Sequence, residues 1–260
     1  VPAAVAARPP LPPRLPGRMS EGAEKLPAPP TVRKGTVGLL LMRSYVLSGD
    51  TAHYDGVIAA FETRGLKVIP AFATGLDQRP AIERFFMKNG RSGIDALVSL
   101  SGFSLVGGPA YNDAKAAEDI LALLDVPYLA AQPVEFQTLE EWEGSERGLH
   151  PIETTMMIAI PELDGAAGGL VFGGRSEKDQ GERGMRVHAE RAAMLAARVA
   201  KLVALRQRAK AERKVAIVLF NFPPNAGAVG TAAFLAVFES LFNTLKAMKA
   251  EGYAVELPAS

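Results

Sequence analysis

Residues 36–42 read Thr-Val-Gly-Leu-Leu-Leu-Met, an apolar run far too short to cross a membrane and lacking the alternation of a strand wetted on one face. Such a run fits a strand buried on both faces, which requires a sheet covered by helices on each side. The period then changes. Tyr54, Val57, Ile58 and Phe61 recur at i, i+3, i+4 and i+7 behind Ser48-Gly49-Asp50-Thr51, a source of helix caps, and Gly65 closes the predicted helix. Residues 66–72, 94–100 and 126–130 read as further strands, with helices over 80–87 and 113–124. Strands alternating with helices make a parallel sheet with right-handed crossovers.

After Pro133 the rhythm is different. Residues 136–150 are polar and predicted to wrap the sheet edge, and 155–160 with 170–172 read as two short strands of an edge hairpin around Pro161-Glu162-Leu163-Asp164-Gly165. From 185 to 213, Leu195, Val199, Leu202 and Val203 share one helical face opposite Arg and Lys, which predicts a long bracing helix. A second cycle starts at Lys214: a strand over 215–220, a loop over 223–230, a helix carrying Phe234, Val237, Phe238, Leu241, Leu245 and Met248, and another strand over 253–257. The expected fold class is α/β: a Rossmann/flavodoxin-like parallel sheet unit followed by a long helix and the start of a second α/β unit. Residues 1–34 hold 9 of the 19 prolines and no helical or strand period, so they are expected to be a disordered linker. The expected divisions are 1–34, 35–175, 176–213 and 214–260. A Pro-rich opening without Met also suggests a piece of a longer polypeptide.

Composition narrows the chemistry. Lys+Arg 29 against Asp+Glu 28, with no dense basic block, removes the electrostatic footprint of a nucleic-acid binder. With no cysteine and three histidines, a metal would be held mainly by oxygen, which suits magnesium or calcium. No apolar run reaches the roughly 18 residues of a spanning helix, so a soluble, cytoplasmic protein is expected.

In open α/β sheets, ligands bind outside the carboxyl ends of the strands. The loops there are 48–53, with Asp50 and His53 as a carboxylate and a titratable base, and 101–109, where Gly107 and Gly108 allow close backbone approach. Equally, Asp50 could cap a helix and the two glycines could simply turn the chain. Asn225 and Gly227 lie in a strand-to-helix loop that could meet a carboxylate, but the Gly-Lys-Ser/Thr element of a nucleotide-phosphate loop is missing, so no ATP site is assigned. Glu162 and Asp164, at i and i+2 with His150 upstream, could hold a hard cation or remove a proton, or could be turn and edge residues. Trp142 beside Glu140, Glu141 and Glu143 reads as a surface anchor.

Taken together, these motifs carry a resemblance. Gly49-Asp50, His53-Tyr54, Lys67-Val68-Ile69-Pro70, Val106-Gly107-Gly108-Pro109-Ala110, Leu124-Asp125-Val126-Pro127, Glu140-Glu141-Trp142, Gly148-Leu149-His150-Pro151, Pro161-Glu162-Leu163-Asp164-Gly165 and Phe220-Asn221-Phe222-Pro223-Pro224 occur in an order similar to that of the porphyrin-binding H subunits of magnesium chelatase. The large subunit of aerobic cobaltochelatase is similar around 161–165 and 222–223, whereas the 106–109 and 124–127 stretches favour the magnesium enzyme. The resemblance implies a fragment of a metal-inserting ligase that puts Mg²⁺ into protoporphyrin IX for (bacterio)chlorophyll synthesis. ATP would be hydrolysed by the I and D partner subunits and not bound here.

Under that resemblance Glu162 is the first choice for base or metal ligand. His150 and Asp164 are second, as proton relay or metal-delivery groups. His53 is third, and Asp50, Gly107, Gly108, Asn225 and Gly227 are candidates around the porphyrin and its propionates. The expected location is cytoplasmic or peripheral at the photosynthetic membrane. Two other readings stand beside this one: a cobaltochelatase subunit inserting Co²⁺ into a corrin precursor, and a flavodoxin-like or periplasmic-binding-like module with no chemistry of its own.

Overall fold

A computed structural model of the chain describes residues 35–108, 111–166, 168–177, 184–220, 229–230 and 236–257. The chain divides into two compact units, the first ending at Ala204 and the second starting at Leu205. Residues 1–34, Asn225 and Gly227 lie outside the described residues.

The first unit opens with strand β1 (Thr36–Leu40), the short helix α1 (Arg43–Ser48), helix α2 (Ala52–Thr63) and strand β2 (Lys67–Ala71). Helix α3 (Arg79–Phe85), a two-residue ribbon β3 (Met87–Lys88) and β4 (Arg91–Ser92), strand β5 (Ala96–Ser99) and helix α4 (Ala114–Leu124) follow. Strand β6 (Tyr128–Thr138) leads into α5 (Leu139–Gly144). A continuous helical stretch then runs through α6 (Pro151–Thr154), a π-helical turn (Thr155–Ala159) and α7 (Ile160–Leu163). Strands β7 (Leu170–Ser176) and β8 (Gly184–Val187) and helix α8 (Ala189–Gln207) complete the order.

Six strands form one sheet in the order β2-β1-β5-β6-β7-β8, parallel throughout except for the antiparallel β7–β8 pair. The expected α/β class and the buried parallel strands are therefore observed. Alternate residues of β1 enter different cores. Val37 and Leu39 pack with Tyr54, Val57 and Phe61 of α2 and Leu195, Val199 and Val203 of α8, while Leu40 packs with Ile82, Phe86, Ile120 and Leu124 of the α3 and α4 layer. Each fully buried side chain of this size contributes about 1.5–3 kcal/mol, so two apolar layers fix the register of the strand between them.

The edge hairpin expected around Pro161 is not formed: residues 151–163 are helical. His150 and Glu153 make a capping box with Pro151 at the first helical position, which starts a helix and not a strand. The wide turn before Pro161, where the Ile160 N–H reaches back to the Thr155 carbonyl, accommodates a ring that cannot donate a helical hydrogen bond. The hairpin at this edge is instead β7–β8. The long helix begins at Ala189 because residues 184–187 join that hairpin. Strand β6 runs on to Thr138, well beyond its expected end at 130.

In the second unit, helix α9 (Val237–Ala250) forms where the 3.6-residue period predicts one. The strands expected at 215–220 and 253–257 do not form: a strand needs a neighbour to pair with, and Val218 and Phe220 are exposed instead. No helix among the described residues is long and apolar enough to cross a membrane.

Candidate functional site

The chain leaves β1 for β2 on one side and later returns as β5 on the other, so the strand order reverses between β1 and β5. The crevice outside the carboxyl ends of those strands is where open α/β sheets take ligands. Two polar clusters lie at this edge.

The first is built around Asp164, whose side chain is buried directly after α7. Its Oδ2 accepts from the Leu105 N–H at 2.6 Å and its Oδ1 from Asn112 Nδ2 at 2.5 Å. The same Asn112 amide donates to Ser104 Oγ at 2.9 Å, and that hydroxyl donates to the Val106 carbonyl. Asp164 therefore ties the loop after β5 to the helical stretch, and neither oxygen is left open. Burial, and then the Asp164 charge, push the Tyr128 phenol pKa upward. In the same loop Gly107 and Gly108 have φ 125° and 92°, and a Cβ on either would strike the Tyr111 backbone or the Leu76 side chain. Close packing within the protein thus requires both glycines.

Glu162, two residues before Asp164, is exposed, and its carboxylate has no hydrogen bond or ion pair among the described residues. Residues i and i+2 on a helical turn point apart, which separates a pair that an extended chain would have put on one side. Asp164→Asn is accordingly expected to lower unfolding stability by about 1–3 kcal/mol, since an amide cannot accept both bonds. Glu162→Gln should change it by less than about 0.5 kcal/mol. Urea unfolding of the two variants checks this, and equal midpoints would contradict the placement.

The second cluster surrounds His53 in the first turn of α2. The ring is fully buried, 3.8 Å from Tyr54 and 5.8 Å from Phe172 between centroids, with Tyr45 of α1 edge-on at 5.0 Å. Neither ring nitrogen has a hydrogen-bond partner. Burial pushes its pKa down to about 3, so the imidazole is neutral at physiological pH. Burial, and then the charge of the Glu135 carboxylate, push the Tyr45 phenol pKa upward, with Arg175 acting in the opposite sense. Asp50 does not cap α2. Its carboxylate accepts from the Met185 N–H at 3.0 and 3.3 Å, tying the loop before α2 to β8.

His150 is exposed at the start of α6, where its N–H donates to Glu153 Oε2 at 3.0 Å. Glu153, which is not among the candidates drawn from the sequence, is fully buried and also accepts from the Phe136 N–H at 3.2 Å and Gln137 Nε2 at 2.7 Å. Its signal is legible as His-Pro-x-Glu, a capping-box spacing. Trp142 lies against His188, with the Arg191 guanidinium 5.3 Å from its ring, and His188 Nε2 meets Glu143 at 3.0 Å. The structure therefore gathers Asp164 with Leu105 and Asn112, and His53 near Asp50. It does not bring Glu162, Asp164 and His150 into one cage: among the described residues no group of three or more His, Asp or Glu side chains is placed to hold a metal ion.

A mostly parallel sheet covered on both faces defines an open α/β protein of the doubly wound class. Residues 13–260 match the family described as CobN/Magnesium Chelatase. The chain is 54% identical over 95% of its length to the magnesium-chelatase H subunit of Cereibacter sphaeroides, covering 22% of that protein. It is 44% identical over 85% of its length to the chloroplastic magnesium-chelatase ChlH subunit of Oryza sativa subsp. indica, covering 16% of it. Among solved structures it superposes on the catalytic subunit of cobaltochelatase from Mycobacterium tuberculosis with TM-score 0.69 and 26% identity, covering 96% of this chain and 19% of that one. The chain belongs to the CobN/magnesium chelatase family, and it spans about a fifth of the length of the relatives it matches.

Proposed function

We propose that this chain is a region of the porphyrin-binding subunit of a magnesium chelatase, which inserts Mg²⁺ into protoporphyrin IX for (bacterio)chlorophyll synthesis while I and D partner subunits hydrolyse ATP. The observation that carries this reading is the 54% identity to a magnesium-chelatase H subunit sustained over 95% of the chain. The 26% likeness to a cobaltochelatase supports the shared fold and gives Co²⁺ insertion less weight.

The reaction exchanges two pyrrole N–H protons for one Mg²⁺, an ion that sheds water reluctantly. A base with an open lone pair is needed beside the macrocycle. Both Asp164 oxygens are occupied by donors, His188 is engaged with Glu143, and His53 is buried. Among the candidate carboxylates Asp50, Glu162 and Asp164, Glu162 is then the one free to accept pyrrole protons or guide the ion, with exposed His150 as a relay to solvent. Asp164 holds Leu105 and Asn112, in the segment that follows β5.

In a subunit of the relatives' full length, assayed with both partners, ATP and saturating Mg²⁺, Glu162→Gln should slow insertion by roughly 10²-fold or more with unchanged porphyrin affinity. Amide replaces carboxylate at nearly equal volume, so a loss confined to kcat marks a role in the chemistry. Normal insertion by that variant would overturn the assignment of Glu162.

A further inference from the structure

We infer that α1 is a displaceable cover over His53 and that, with the cover lifted, a His53 ring nitrogen is the axial ligand to the metal of a metalloporphyrin at the carboxyl edge of the sheet. The inference rests on the porphyrin reading above and names how the metallated macrocycle would be told from the metal-free one.

An imidazole with two unpartnered nitrogens in a fully buried site is costly unless something uses it. Its surroundings are aromatic: Tyr54, Tyr45 and Phe172 lie 3.8, 5.0 and 5.8 Å from the imidazole between ring centroids. The lone pair is uncharged and available, which is what a metal with four in-plane nitrogen ligands takes at its remaining position. His53 is also the one histidine of the three with both ring nitrogens buried and unpartnered. His188 is engaged with Glu143 and the Arg191 N–H, and His150 sits exposed at a helix start.

The cover has the form of a separable piece. Helix α1 has six residues and contributes no buried side chain; only Tyr45 and Val46 rest partly buried against the core. It ends at Gly49, whose φ of 79° lets the chain reverse there without strain. Beyond Gly49, Asp50 is fastened to the Met185 N–H, so a motion of α1 ends at a fixed point and leaves α2 in place. Two contacts hold the cover down: the Tyr45 ring edge-on against the imidazole and, at the start of the helix, the Met42 N–H that donates to the Tyr54 hydroxyl at 3.2 Å. Lifting α1 takes Tyr45 off the imidazole edge and opens it towards the crevice beyond β1.

The test uses the 260-residue chain with zinc protoporphyrin IX and metal-free protoporphyrin IX, following the Soret band and the dissociation constants. Zinc in a porphyrin accepts an imidazole nitrogen readily. The zinc compound should bind more tightly than the metal-free one, with the band shift of an imidazole-ligated metal. His53→Phe, which fills the aromatic box without polar atoms, should abolish the shift and equalise the two affinities. Tyr45→Ala should tighten the zinc compound, because the open state no longer has to be populated against the Tyr45 ring, and should make His53 reactive to diethyl pyrocarbonate in the free protein. An unchanged shift in His53→Phe, equal affinities in the wild type, or no binding of either porphyrin would each overturn the proposal. The chelatase reading is judged separately by the insertion assay at the relatives' full length, so the two can fail independently.

Discussion

Acidification below pH 6.5 is expected to destabilise the first unit progressively, with His53 as a principal cause. Its imidazole titrates at 6.5 when exposed and at about 3 in the folded protein. Between those values the unfolded chain binds a proton that the folded one refuses. The contribution is therefore fully present above pH 6.5 and is lost as pH falls towards about 3, at up to about 1.4 kcal/mol per pH unit. His53→Phe removes both unpartnered nitrogens and this titration. It should be more stable than the wild type by about 1–3 kcal/mol at neutral pH and should show a flatter pH profile. Urea midpoints measured from pH 7 to pH 4 check both statements, and parallel profiles for the two proteins would contradict them.

The second large effect concerns Glu153. Alanine there removes a buried carboxylate that accepts from Phe136, Gln137 and His150, leaving three donors without that acceptor. The expected loss is about 3 kcal/mol or more, since each hydrogen bond to a charged group is worth about 1.5–3 kcal/mol. Glu153→Gln retains one carbonyl acceptor and should lie between alanine and the wild type. Because the three donors sit at the end of β6 and the start of α6, hydrogen exchange in the alanine variant should rise first at residues 136–138 and 150–154. Exchange rising uniformly over the sheet would contradict this placement.

Periodicity makes the sheet legible and leaves the site obscure. The 36–42 run announces a strand buried on both faces, and Val57, Ile58 and Phe61 announce the helix that covers it, because burial imposes a period on many residues at once. The stretch 155–160 reads wrongly as a strand because Thr-Met-Met-Ile-Ala-Ile suits strand and buried helix alike; the deciding signal is the capping box just upstream at His150 and Glu153. Glu162 and Asp164 are legible as chemistry but not as geometry. Their opposite environments depend on a helical turn, and on Leu105 and Asn112, which are more than fifty residues away in the chain. His53 reads as a loop base, and only the distant Phe172 in β7 reveals it as a buried ring.

The two outermost strands carry a consequence for assembly. On one edge of the sheet β2 includes Pro70, which has no N–H to offer an incoming strand, and on the other β8 has four residues among those described. Neither border is a good template for backbone pairing. Whatever docks on this unit therefore has to recognise side chains and not extend the ladder. Docking of that kind can be released by exchanging a few charges, without unzipping a sheet.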